Sequence, residues 1–265
     1  VESVMRLAIY KDDRGNEITY TGLVDENINI VFRGSNNKLI VSASARIVLL
    51  HVQFDCDNGH FAIGSSKGGG VIKIHSRVGQ DAAITVGNNV SMTGNVYISS
   101  VEGSSVVIGD DVMFASGIQV RADDAHPIFD VSSGERINVT EDIVIGSHVW
   151  VGNNSSILGG ADIRDGSVIG LGSVVKGKVP NNCIAVGAPA RVVRRDIAWE
   201  RPHLSLVKPF YKPDSSTVKK SAFWNYTEET ESFYEQSTQL PTPLTSSSKS
   251  LFGKLLSRFG YQKIS

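Results

Sequence analysis

The sequence predicts an all-β chain wound as a parallel β-helix, with one long loop thrown out of the coil and an extension at its end. Two observations carry that reading. First, an aliphatic residue recurs at every sixth position through Ile145, Val151, Ile157, Ile163, Ile169 and Val175. That spacing fits neither the 3.6-residue period of a helix nor the two-residue period of a strand. Second, small and turn-forming residues fill the intervals, among them Gly146, Gly152, Gly159, Gly160, Gly166, Gly170 and Gly172. A chain that runs straight for a few residues, turns and repeats sends one aliphatic side chain per hexad toward a common axis.

Taken in chain order, residues 1–38 form a mixed N-terminal segment with a strand expected over 27–32 and turns at Asp12-Asp-Arg-Gly15 and Gly34-Ser-Asn-Asn37. The β-helical domain is expected over 39–190. Its hexads are degenerate to about residue 80, then sharpen through Val86, Met92, Ile98 and through Ile108, Phe114, Val120. Three hexads make one triangular coil, and coils stacked at the strand spacing of roughly 4.8 Å give about seven coils in a prism roughly 30–35 Å long. The period breaks briefly at 99–107, read as a bulged corner, and at length over 121–142. A loop of that size inside a compact repeat is more often functional than idle. After Val175 the repeat closes with Val179-Pro180 and Gly187-Ala-Pro189-Ala, where Pro189 sets a kink. A helix is expected to begin within 192–199. The extension 191–236 is aromatic and mixed in charge, 237–250 reads as a flexible linker, and 237–265 ends in a short amphipathic helix with Lys249, Lys254, Arg258 and Lys263 around an apolar stripe.

Composition narrows the class of function. Lys and Arg number 26 against 27 Asp and Glu, so net charge offers no argument for a nucleic-acid partner. No apolar run approaches the roughly 20 residues of a membrane span, and Val1-Glu-Ser-Val-Met-Arg6 does not look like a signal peptide. Cys56 and Cys183 make neither a metal-ligand spacing nor a disulfide framework, so a reduced, cytoplasmic protein is the simplest expectation.

Of the six histidines, His126 stands out. It lies in the long loop beside Asp123 and Asp124 and is followed by Pro127, which restricts its backbone. A general base near neutral pH needs a pKa in that range, and histidine has one without tuning. Trp150 returns the chain to the repeat and, by hexad phase, points outward near a corner. It serves either as a stacking surface at a site or as cover for the loop's own apolar face. Arg191, Arg194 and Arg195, with Lys176 and Lys178, gather basic charge where the repeat ends, and such groups suit phosphates.

These motifs together, namely the hexads, the His126-Pro loop, Ile145-Gly-x-x-Val-Trp150-x-Gly152, Ile169-Gly-x-Gly-Ser-Val-Val175 and Gly187-x-Pro189-Ala, resemble the hexapeptide-repeat acyltransferases over about residues 85–200. Asp124-Ala-His126-Pro-Ile-Phe-Asp, Gly134-Glu-Arg-Ile-Asn138 and Asp196-Ile-Ala-Trp199-Glu-Arg201 look like the bacterial capsule O-acetyltransferases, including those that modify polysialic acid. Parallel crossovers are right-handed by default. Left-handed winding is therefore an implication of the resemblance and not of the period. The resemblance also implies acetyl-CoA as acetyl donor with no metal, His126 as base with Trp150 at the reaction site, and direct transfer to a sugar hydroxyl. It places the donor's pantetheine arm near Asn153 and Leu171, with Trp150 beside it, and the far end and phosphates near Lys176, Gly177, Arg191 and Arg194. Where galactoside-type relatives carry Ala and a Thr-Lys pair, this chain has Leu171 and Lys176-Gly177, so only backbone contacts carry over there. A homotrimer with sites between subunits, a polymeric carbohydrate acceptor, and a cytoplasmic location with peripheral membrane contact through 249–263 complete the expectation. The alternatives are an acetyltransferase of a small sugar or nucleotide sugar, a γ-type carbonic anhydrase with His126 and His148 among its zinc ligands, and a non-catalytic scaffold built on the aromatic 203–236 segment.

Overall fold

The structure, a computed structural model, describes residues 6–22, 27–66, 68–205, 208 and 211–228. The amphipathic stretch and linker expected beyond 236 lie outside the described residues. Among the described residues no helix is long and apolar enough to cross a membrane.

The period of six translates directly into three flat faces. Face A is a seven-stranded sheet, face B a nine-stranded sheet and face C a six-stranded sheet. One coil runs along Val96–Ser100 on face A, Ser105–Ile108 on face B and Met113–Phe114 on face C, and the next begins at Ile118–Arg121 back on face A. Strands in successive coils pair in parallel. Ile98 opposes Val120, Val120 opposes Ile157 and Ile157 opposes Val175 on face A, while Ile108, Ile145, Ile163 and Val179 form the same kind of ladder on face B. The hexad residues Ile145, Val151, Ile157, Ile163, Ile169 and Val175 are all at most 1% exposed, so they are the core. Burying each such side chain contributes roughly 1.5–3 kcal/mol against leaving it in water.

Strand pairing reaches further toward the N-terminus than residue 39. Glu17–Thr19 pairs in parallel with Lys38–Val41, and Ile28–Phe32 pairs with Ile47–Phe54. The hexad fades there because the inward residues vary in size, from Ile30 to Phe32 and Phe54. Face C also has no strand before Ser91–Met92 among the described residues. The helix expected within 192–199 is not formed. Ala190–Arg194 is instead a strand folded back antiparallel on Ile184–Gly187, so it closes the edge of face C, and the chain beyond it is irregular.

Coil stacking imposes a close approach at the turn from face B to face C. A methyl group on Gly87 would lie 2.5 Å from the carbonyl oxygen of Gly109, and one on Gly109 would lie 2.7 Å from the backbone of Gly146 and Ser147. Glycine is required at Gly87 and Gly109 because the backbone of the next coil occupies the space there. Gly109→Ala is therefore expected to lower stability by about 1–3 kcal/mol through overpacking, read as a fall in the urea midpoint with the slope unchanged.

Candidate active site

The long loop leaves face A after Arg121 and rejoins face B at Ile143–Ile145. It is organised from its base upward. Asp123 is buried, and its carboxylate accepts hydrogen bonds from the Ser99 hydroxyl of the preceding coil and from Ala125 N at 3.0 Å. Arg77 lies 4.0 Å from the same carboxylate. The turn places Ala125 at φ 62, and His126 N donates to Asp124 O at 2.7 Å. Asn138 then ties the two arms together. Its Nδ2 donates to the carbonyl of His126 at 2.8 Å and to Asp124 Oδ2 at 3.1 Å, while its Oδ1 accepts from Ile128 N at 2.7 Å.

Between these arms the chain forms a hairpin, with Phe129 opposite Arg136 and Ile137 N donating to Ile128 O at 2.9 Å. Arg136 reaches Glu102 of the preceding coil at 2.9 Å. The exposed ring of His126 thus stands at the foot of a hairpin braced to the prism. A cleft of about 130 Å³ opens beside it, lined by Arg121, Asp123, Asp124, Asn138, Glu141 and Lys176.

Trp150 starts the face C strand Trp150–Val151, 40% exposed, while its neighbour Val149 is fully buried. Two residues earlier, His148 occupies the last position of the turn from face B to face C with φ 53. The equivalent positions of other coils from residue 87 on are Asn89 (φ 56), Asp111 (φ 59), Gly166 (φ 69) and Asn182 (φ 53), so these five positions are all left-handed. Glycine, asparagine and aspartate tolerate that conformation best.

The extension runs down this column as a strap. Ile197 N donates to Asn182 O at 3.0 Å. Trp199 stacks on His148 with ring centroids 4.2 Å apart, and Phe223, from the returning limb, covers the other imidazole face at 4.6 Å. Arg201 donates to Asp111 Oδ1 at 2.6 Å, to Asp111 O at 2.7 Å and to Ser91 Oγ at 2.6 Å. His148 Nδ1 faces Asp111 Oδ2 at 2.5 Å and Nε2 faces the carbonyl of Trp199 at 2.9 Å, while Trp199 Nε1 donates back to His148 O at 2.9 Å. Burial alone pulls the His148 pKa down, but the Asp111 carboxylate, the Trp199 carbonyl and the Glu200 charge outweigh it and hold the imidazole above its ordinary value. Burial acts to raise Asp111, yet hydrogen bonds from His148 and Arg201 hold its carboxyl below the usual range. With both ring nitrogens engaged and the ring 2% exposed, His148 is removed from the zinc-ligand set considered above.

The residues expected at the site fall into two groups on a single chain. His126, Lys176 and Gly177 share the turn from face A to face B, where Lys176 lies 3.7 Å from Glu141. Trp150 lies on face C, Asn153 and Leu171 at the turn from face C to face A, and Arg191 and Arg194 on the strand that closes face C. Leu171 is 74% exposed, and Asn153 spends its side chain on Ser116 N at 3.0 Å while its carbonyl accepts from Gly172 N at 2.8 Å. His126 and Trp150 therefore do not meet within one chain. The residues to which the acetyltransferase reading of the sequence gave no role are Asp111, His148 and Arg201. A signal was available for one of them, since aligning the coils puts an imidazole in a column of Asn, Asp and Gly.

No family model matches the chain. It is 34% identical over 171 residues to the polysialic acid O-acetyltransferase of Neisseria meningitidis, covering 63% of this chain and 77% of that protein. It is 38% identical over 137 residues to the polysialic acid O-acetyltransferase of Escherichia coli O1:K1, a match spanning 49% of this chain and less than half, 45%, of that relative. Among solved structures, the polysialic-acid-specific acetyltransferase NeuO superposes with a TM-score of 0.64 at 38% identity, covering 71% of this chain and 85% of that one. Fold and likeness together define the class, a hexapeptide-repeat acetyltransferase built on a left-handed parallel β-helix. Within that class, the chain belongs to the family of the polysialic acid O-acetyltransferases.

Among the described residues, Asn138 is the one side chain that bonds both arms of the hairpin. Asn138→Ala is expected to raise the rate of limited proteolysis within 126–138 severalfold while leaving the global unfolding midpoint unchanged, since local opening is governed by local bonds.

Proposed function

We propose that this protein is an acetyl-CoA-dependent O-acetyltransferase that acts on hydroxyls of a bacterial capsular or cell-surface polysaccharide. The observation that carries the reading is the braced hairpin, which presents an exposed imidazole, His126, from a rigid prism in a chain of this family. In the proposed step, a ring nitrogen of His126 takes the proton of the acceptor hydroxyl as its oxygen attacks the thioester carbonyl carbon. Backbone N–H groups at the loop base stabilise the oxyanion. The carbon–sulfur bond then breaks, and His126 returns the proton to the departing sulfur. An O-acetyl ester and free CoA result, with no acyl-enzyme.

The exposed surface suits the donor. Gly172 has open space where a side chain would project, so a pantetheine arm can run close to the backbone near Asn153 and Leu171. Arg191 and Arg194 are exposed guanidinium groups on the closing strand, and Lys176 is exposed at the loop base. These cations fit the phosphates of CoA. Because His126 lies at the turn from face A to face B and Trp150 on face C of one prism, the reading requires a second copy whose loop lies against face C of the first. The hairpin carries the apolar surface for that contact, with Phe129 55%, Val131 99% and Ile137 62% exposed. Three copies closing a ring would make three such sites. A cytoplasmic location belongs to the same proposal, since the proposed donor is a cytoplasmic metabolite.

The decisive experiment incubates the protein with labelled acetyl-CoA and a panel of capsular polymers and free sugars, and locates the ester by NMR. Transfer to an anionic polymer supports the reading, transfer to free sugars alone moves the acceptor to a small sugar, and transfer to nothing removes the activity. His126→Ala is expected to lower the turnover by about 10²-fold or more with the oligomer intact by light scattering. Activity within tenfold of wild type would overturn the role given to His126.

A further inference from the structure

His148 is a buried imidazole that the proposed chemistry does not use. Its surroundings decide its protonation. The carbonyl of Trp199 can only accept, so Nε2 must carry a proton. Nδ1 faces Asp111, and the guanidinium of Arg201, 2.6 Å away, keeps that carboxylate ionised, so Nδ1 must carry a proton as well. The ring is therefore a cation, closed between the faces of Trp199 and Phe223, which suit it by cation–π attraction. Of the charged groups around it, Asp111 comes from the preceding coil and Glu200 and Arg201 from the strap; the next coil has Gly166 at the equivalent position, with the Asp165 carboxylate beside it accepting from Ser147 N at 2.7 Å. On the returning limb, Lys220 sits over Trp224, 4.5 Å from its ring. Glu200 is committed to Ser221 N and Trp224 Nε1, each at 2.7 Å, and so links the two limbs of the strap.

Trp199, held in this way, lies 5.9 Å from the ring of Trp150 and tilted by 47° to it. Trp150 projects from a sheet face with 40% of its surface open, so Trp199 is the wall on its strap side. We propose that His148 is a positioning residue: donating from both ring nitrogens, it fastens the strap to the turn column so that Trp199 sets the orientation of Trp150 at the acyl-transfer site. The link to catalysis rests on the function proposed above, whereas the link from His148 to Trp150 does not.

The clasp has a pH window whose signs follow from its two partners. His148 is held above its ordinary value, so its contribution is complete at low pH and is lost as pH rises through its folded pKa. Asp111 is held below its ordinary value, so its contribution is complete at neutral pH and is lost as pH falls through its folded pKa. Fastening therefore holds between the folded pKa of Asp111 and that of His148, and loosens as pH leaves that window on either side.

The test uses the full-length protein labelled with 15N-histidine and 5-fluorotryptophan, with the three tryptophan resonances assigned by single substitutions. The expected result is a His148 ring protonated on both nitrogens near neutral pH, with the Trp150 fluorine resonance moving as pH rises, on the same midpoint as His148 deprotonation. His148→Phe is expected to shift that resonance at neutral pH and to lower the turnover about tenfold, as misplacement of a site group does, while removing the alkaline limb of the activity profile. A single ring proton on His148 near neutral pH, or a Trp150 resonance indifferent to His148, overturns the proposal. If His148→Phe fails to match the wild-type circular dichroism and size, the wild-type titration of the same resonance decides. A resonance that follows His148 in a protein that acetylates no acceptor leaves the clasp standing and removes the acetyltransferase reading instead.

Discussion

Everything in this molecule depends on the turn from face B to face C. Each coil must change direction there within a few residues while the next coil passes at strand spacing directly above it. Two columns of residues meet the demand. Gly87, Gly109 and Gly146 leave room for the neighbouring backbone, and Asn89, Asp111, His148, Gly166 and Asn182 adopt the left-handed conformation that redirects the chain. The aliphatic core can stack in register only because these turns repeat. The core supplies most of the stabilisation, and the turns determine that it takes the form of a prism.

The same column serves a second purpose. Left-handed residues at a sharp turn present side chains and carbonyls outward in a line, and the strap uses them as a rail. Asn182 bonds Ile197 and Phe223, His148 bonds Trp199, and Asp111 bonds Arg201. A segment with no repeat of its own is thereby fixed to one edge of the prism. The opposite arrangement holds at the turn from face A to face B, where the period is interrupted and the hairpin carries His126 outward on bonds from Asp123 and Asn138. One edge of the prism is covered by its own chain, and another extends away from it with exposed apolar side chains.

Much of this was legible in the residues. Every hexad residue from Ile145 to Val175 is buried, because a side chain that recurs every sixth residue on a triangular coil has nowhere to go but the axis. The long gap located the extruded loop, since a repeat cannot absorb twenty extra residues without expelling them. The N-terminal coils were harder to see, because a shorter face C and inward residues of mixed size blur the period. The stretch 192–199 misled for a different reason. The apolar pair in Arg191-Val192-Val193-Arg194 is too short to separate helix from strand, and only the free edge of Ile184–Gly187 recruits it into the sheet.

The sequence by itself determined the coil, its core and the place where it breaks, because those depend on a period that any one stretch of chain displays. It also marked His126 and Trp150 as unusual residues in telling positions. Only the tertiary structure decided that these two stand at different turns of one prism, since the face on which a residue lies depends on how many corners separate it from another. Only the tertiary structure, too, brought Asp111, His148, Trp199 and Arg201 together across as many as 90 positions of chain. Proximity across that distance is set by where the strap runs along the stacked turns, and no local pattern of residues records it.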